Sequence, residues 1–140
     1  MNETEKAKGV LLEFIREMHD WEVEAHNFYV SNREEISMKE AYQVINRSLD
    51  LVFEKYLSAK VRRNTRHGTI SHPPDYNPQT EVVVSVTARS ETRIDIETLA
   101  RLKSESLQFL YVMLKEEAGW KIDHKKCFHT FKGKWESAIL

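Results

Sequence analysis

The sequence predicts an α+β fold, with two long N-terminal helices packed on one face of an antiparallel sheet. Three observations carry that reading. Apolar residues recur every three or four positions through about residue 58, which is the signature of amphipathic helices. From about residue 80 the period changes to two, the signature of strands. The helical and extended segments are segregated along the chain rather than alternating, which argues against β-α-β units and a parallel sheet.

The first helix is expected at about Glu3–Val30. Ala7, Leu11, Phe14, Met18, Trp21, Ala25 and Phe28 form one apolar stripe, flanked by Val10 and Ile15. Glu5, Glu13, Glu17, Asp20 and Glu24 lie on its other side. Ser31-Asn32 interrupts the pattern, and Ser37-Met38-Lys39-Glu40 reads as a capping box. A second stripe follows through Ala41, Ile45, Leu49, Val52, Phe53 and Tyr56, ending near Ser58. Residues 60–81 change texture. Lys60, Arg62, Arg63, Arg66 and His67 form a basic run, and Gly68, Pro73-Pro74, Asp75, Asn77 and Pro78 supply turn chemistry. This reads as a long loop with a short strand around Gly68–Ser71.

Val82, Val84 and Val86 are expected on one face of the first long strand, and Val83, Ser85 and Thr87 on the other. Ile94 and Ile96 alternate with Arg93, Asp95 and Glu97. Leu107–Leu114 is apolar on both faces, which predicts a central strand covered on both sides. Glu117-Ala118-Gly119 turns the chain into a last strand. There Trp120, Ile122 and Phe128 alternate with Lys121, Asp123 and Cys127. Beyond about residue 129 no period is legible, and Gly133–Leu140 is too short to classify. Phe14, Trp21, Phe53, Phe109 and Trp120 are the expected aromatic core.

The 140 residues suit one domain spanning 1–140, with 41% hydrophobic and 31% charged residues, enough apolar material for a packed core. Twenty-one basic and 22 acidic side chains leave a net charge of −1, which argues against a nucleic-acid binder. The charge is unevenly spread: residues 1–59 carry net −5 and residues 60–140 net +4. With one cysteine, Cys127, neither a disulfide nor a cysteine zinc site is expected, and a reducing cytoplasm fits. No stretch approaches the ~20 apolar residues of a membrane span, and no signal peptide is read at the N-terminus.

Three segments resemble a known superfamily. They are Phe14 with Met18-His19-Asp20-Trp21-Glu22, the strand Leu107–Leu114, and Gly119-Trp120-Lys121-Ile122-Asp123. Together they resemble the nuclear-transport-factor-2-like superfamily over about residues 3–128. The resemblance implies a cone-shaped, curved antiparallel sheet around the helices. Within it the chain is most similar to bacterial immunity proteins against Rhs-type polymorphic toxins. Met18-His19 with Trp21-Glu22, the single-domain size and the Pro73-Pro74-Asp75-Tyr76 loop carry that likeness. It implies a cytoplasmic protein that binds and neutralises a cognate toxin, with no catalytic residues, metal or cofactor. The alternative within the superfamily is a small-molecule binder or an acid/base enzyme of the ketosteroid-isomerase type.

Each candidate site has an ordinary reading beside it. His19, Glu22 and His26 share a helix side, but the histidines are ~10 Å apart along the axis. Boundary packing is the simpler account, and no metal is expected. An acid/base enzyme would need a carboxylate in apolar surroundings with a donor such as Tyr29, Tyr56, Tyr76 or Tyr111. Strand parity sends Asp95, Glu97 and Asp123 to the outer face instead. Cys127 and His129 share a strand face, yet nothing supplies the third group that a nucleophile needs. Two surfaces remain for a protein partner. One is the acidic side of the first helix, Glu13, Glu17, Asp20 and Glu24, which matches a basic nuclease cleft. The other is the loop, where Arg62, Arg63, Arg66 and Tyr76 are residue types favoured at interfaces. A homodimer through the sheet face bearing Leu110, Val112 and Leu114 is compatible with either function.

Overall fold

The computed structural model describes residues 2–102 and 105–140. Helix α1 (Glu3–Asn32) starts where the Asn2 side chain accepts from the Glu5 amide at 2.8 Å. It runs two residues past its expected end. Ala7, Leu11, Phe14, Met18, Trp21 and Ala25 are all buried, as the stripe required. Helix α2 (Met38–Tyr56) begins at the expected cap: Ser37 Oγ accepts from the Glu40 amide at 3.1 Å and donates to its carboxylate at 3.2 Å. The helices are tied by the Trp21 indole N–H, which donates to Ser48 Oγ at 2.9 Å. Helix α2 stops two residues short of Ser58, because Leu57 is extended and the Ser58 amide donates to the Ile122 carbonyl at 2.9 Å. The sheet captures the chain before another helical turn forms.

Five strands follow: β1 (Glu81–Ala88), β2 (Arg93–Leu102), β3 (Glu105–Glu116), β4 (Gly119–His129) and β5 (Lys134–Ala138). They form one curved antiparallel meander in the order β1-β2-β3-β4-β5. Gly119, at φ 117°, follows the tight β3–β4 turn, a backbone angle that favours glycine. Both helices lie against one face, where Ile94, Ile96, Tyr111, Met113, Trp120 and Ile122 join the helical stripes in a single core. Phe14, Trp21 and Trp120 are buried there, and Phe53 and Phe109 pack half-buried at its margin.

Several sequence expectations are corrected. Strand β3 is central, but no second layer of the described residues covers its outer face. Val112 is buried there, in register with Asp95 and His124, while Leu110 and Leu114 stay half-exposed. Gly68–Ser71 is irregular rather than a strand. Strand β5 is a short edge strand within the tail that showed no period.

Two bulges change which side chains face inward. In β1 the extra residue is Val84, between the pairs Val83–Thr98 and Ser85–Glu97. Val82 and Val84 are therefore exposed, whereas Val83 and Val86 pack on the core. In β4 the extra residue is Asp123, between the pairs Val112–His124 and Met113–Ile122. A one-residue insertion inverts the parity of everything after it. Lys125 and Cys127 consequently pair with the inward positions Tyr111 and Phe109. Phe128, expected inside with Trp120, packs instead on Trp135 with ring centres 5.3 Å apart.

Candidate functional site

The loop between α2 and β1 folds into the space between α1 and the sheet. Tyr76 is fully buried and meets Phe14 edge-on at 5.5 Å. Its amide donates to Glu22 Oε2 at 3.0 Å. Arg66 is buried beside it and donates from Nη1 to Glu22 Oε1 and to Asp75 Oδ2, each at 3.0 Å. The guanidinium also lies 4.9 Å from the Tyr76 ring centre. Burial raises the Glu22 pKa, opposed by the Tyr76 amide and Arg66. Asp75 is held below the usual carboxylate range: burial opposes this, but hydrogen bonds from Arg66 and Ser71 outweigh it. A loop of mostly polar residues thus enters a core because its two buried polar groups, Arg66 and the Tyr76 amide, find the same carboxylate.

Lys125 closes the other side of this interior. Its ammonium is buried and donates to Tyr76 Oη at 3.3 Å. The rings of Phe109, Tyr76 and Tyr111 surround it at 4.1, 4.4 and 5.4 Å. Burial lowers its pKa to about 8, although the Glu81 charge pulls the other way. Buried Glu81 accepts from Thr98 Oγ1 at 2.6 Å and from Tyr111 Oη at 3.0 Å. Desolvation raises the pKa of both Tyr76 and Tyr111, so each stays neutral, Tyr111 donating to Glu81 and Tyr76 accepting from Lys125.

The remaining chemical candidates are separated. His19 lies 3.2 Å from Asp20, Glu22 is committed to the interior, and His26 stacks on His72 at 3.8 Å. The helical trio therefore does not converge on a metal. Asp95 lies on the outer face between Arg89 and Arg93, and Glu97 accepts from Ser85. The Cys127 thiol is pushed up by burial, the opposite of an activated nucleophile, and His129 is exposed and paired with Glu136.

The predicted partner residues divide into two groups. Glu13, Asp20 and Glu24 are exposed on α1, while Glu17 is half-buried and 3.4 Å from Lys55. Arg63 is exposed. Arg62 is half-buried and donates to the carbonyls of Ser58, Lys60, Ile122 and Asp123, fastening the loop to β4. Arg66 and Tyr76, expected on the surface with them, are interior. Sequence reasoning did not find the roles of Glu81 and Lys125. For Glu22 the signal in the sequence is its spacing, seven and four positions after buried Ile15 and Met18, which places a carboxylate on the packed side of α1 where it needs a partner.

The family model for NTF2 fold immunity proteins matches residues 6–138. The chain belongs to that family. It is also 28% identical over 137 residues to Immunity protein RhsIA of Dickeya dadantii (strain 3937), an alignment covering 96% of each chain. No solved structure matches. This NTF2-fold immunity protein therefore belongs to the class that binds and neutralises a toxin, as the Met18–Glu22 segment, the single-domain size and the Pro73–Tyr76 loop implied. Its interior is filled by its own Tyr76, Arg66 and Lys125.

Proposed function

We propose that this protein neutralises a Rhs-type toxin in the bacterial cytoplasm by covering part of the toxin's surface, without chemistry of its own. The observation that carries the mode of action is the filled interior. Tyr76 and Arg66 occupy the space between α1 and the sheet, so recognition falls to the exterior. The Rhs assignment draws on the printed name of the Dickeya relative. Among the described residues no helix is long and apolar enough to cross a membrane.

The contact surface in this reading draws on Glu13, Glu17, Asp20 and Glu24 of α1 and on Arg62 and Arg63 of the loop. Arg66 and Tyr76 serve it indirectly, by holding the loop in place. Acidic side chains on α1 suit a toxin with a basic nucleic-acid cleft, where complementary charge accelerates encounter. The half-exposed Leu110 and Leu114, with Val112 between them, are the surface through which two copies would pair. Light scattering on the purified protein tests that pairing.

The test of function is co-purification with the Rhs toxin domain, repeated with Glu13, Asp20 and Glu24 all changed to Lys. The proposal expects a stable complex with the native chain, and slower association with the variant. Failure of the native chain to bind or inhibit the toxin would overturn it.

A further inference from the structure

We infer that the cleft between residues 60–64, the middle of β4 and the end of β5 receives an acidic, apolar-flanked segment of the toxin. This rests on the toxin-binding reading and names the part of the partner that this surface fits. The cleft has a volume of about 290 Å³. Lys60, Arg62 and Arg63 line it from the loop and His124 from β4; Lys125 also borders it, with its ammonium turned into the aromatic interior.

Its one lining acidic side chain is already used. Asp123 accepts from Ser58 Oγ at 2.6 Å and pairs with Lys60 Nζ at 3.1 Å. Arg62 spends its donors on carbonyls and the Ser58 hydroxyl, so no carboxylate hydrogen-bonds to its charge. Arg63 makes no hydrogen bond or ion pair with the described residues. Burial first, then Lys60 and Lys126, hold the His124 pKa down; Asp123 opposes them and Arg62 adds to them.

The cleft walls are not purely polar. Val61 is 95% exposed and Ile139 is 40% exposed, and both line the cleft. The Arg63 guanidinium beside exposed aliphatic side chains matches the anatomy of a protein interface, where arginine and apolar contacts share the centre. Single-stranded nucleic acid would call for a row of aromatic stacking surfaces, and the cleft lining offers one ring, His124, and no Phe, Tyr or Trp. An extended segment alternating carboxylates with aliphatic side chains satisfies both features. The acidic side of α1 carries the opposite charge and addresses a different part of the toxin.

The experiment uses the full chain in two arms. In the first, fluorescence anisotropy follows a labelled Glu/Leu peptide, with a Lys/Leu peptide as control and inorganic phosphate as competitor. The variants are Arg63→Glu and Val61→Glu, at side chains that nothing in the fold depends on. Selective binding of the acidic peptide, weakened about tenfold by Arg63→Glu and also weakened by Val61→Glu, is the expected result. Equal binding by both variants overturns the inference. So does displacement by phosphate with no effect of Val61→Glu, which would mark a simple anion site. In the second arm the Rhs toxin domain replaces the peptide. Loss of affinity in both variants supports the inference. If the native chain binds the toxin and both variants bind equally well, the cleft is refuted and the function stands. If the native chain does not bind it, the functional reading fails.

Discussion

Replacing Lys125 by methionine removes a buried charge from the core while keeping a flexible apolar stem of similar length. The native ammonium is enclosed by Tyr76, Phe109 and Tyr111 and has one hydrogen-bond acceptor. Its pKa in the fold is about 8, against 10.5 for an ordinary lysine. The sign follows directly. Between those values the unfolded chain binds the proton more strongly than the folded one, so stability contributed by this site rises with pH. Below about 8 the full penalty applies, about 3 kcal/mol from the shift. Raising the pH from about 7 to about 9.5 should relieve about 2 kcal/mol of it in the native protein and none in Lys125→Met. Cys127 opposes the trend in the same window, because its raised pKa makes the folded state hold its proton longer. Taking the difference between the two proteins removes the burial part of that contribution and leaves only the lowering of the Cys127 pKa by the Lys125 charge, which the variant lacks. Urea unfolding at both pH values measures it. Methionine leaves Tyr76 Oη without its donor, so the gain near neutral pH is smaller than the full penalty. If the native protein and the variant show parallel pH dependence, the ammonium is not desolvated and the inward position of Lys125 is wrong.

Other perturbations test other parts of the account. Glu22→Ala strands the buried Arg66 and the Tyr76 amide, and should cost about 3–5 kcal/mol in chemical unfolding while exposing the loop to limited proteolysis. Combining it with Arg66→Met should recover part of that loss, and strict additivity would contradict the direct pairing. Trp120→Ala empties a buried site, removes the 2.6 Å bond to Glu3 and should cost about 3–5 kcal/mol, read as a lowered melting temperature. The Glu13, Asp20 and Glu24 triple change to Lys should leave stability within about 1 kcal/mol of native, because exposed charges contribute little.

The parts of the fold legible in the sequence are those with a long repeating pattern. Helix α1 repeats its stripe from Ala7 to Ala25, and the Ser37–Glu40 box marks the start of α2 by local chemistry alone. The β3–β4 hairpin announces itself through Gly119. Strand β5 is five residues long, too short to establish a period. The bulge at Asp123 inserts one residue without any change in composition, and parity counted from Trp120 then sends Lys125 the wrong way. The interior site depended on that register. It also depended on Arg66 and Tyr76, which sit in a stretch of polar and turn-forming residues. Their partner Glu22 lies 44 and 54 positions away, so burial in this loop is a tertiary effect that local texture does not carry. The acidic side of α1 was legible because helical spacing alone exposes Glu13, Asp20 and Glu24.

The central claim is that this immunity protein works by direct contact between its exterior and a Rhs toxin. Isothermal titration of the purified toxin domain into the native chain tests it most directly, with toxin activity assayed in the same mixtures. The account predicts saturable binding, with toxin activity falling in proportion to complex formed. Toxin that keeps full activity in the presence of excess protein, or that is silenced without any measurable complex, would contradict it.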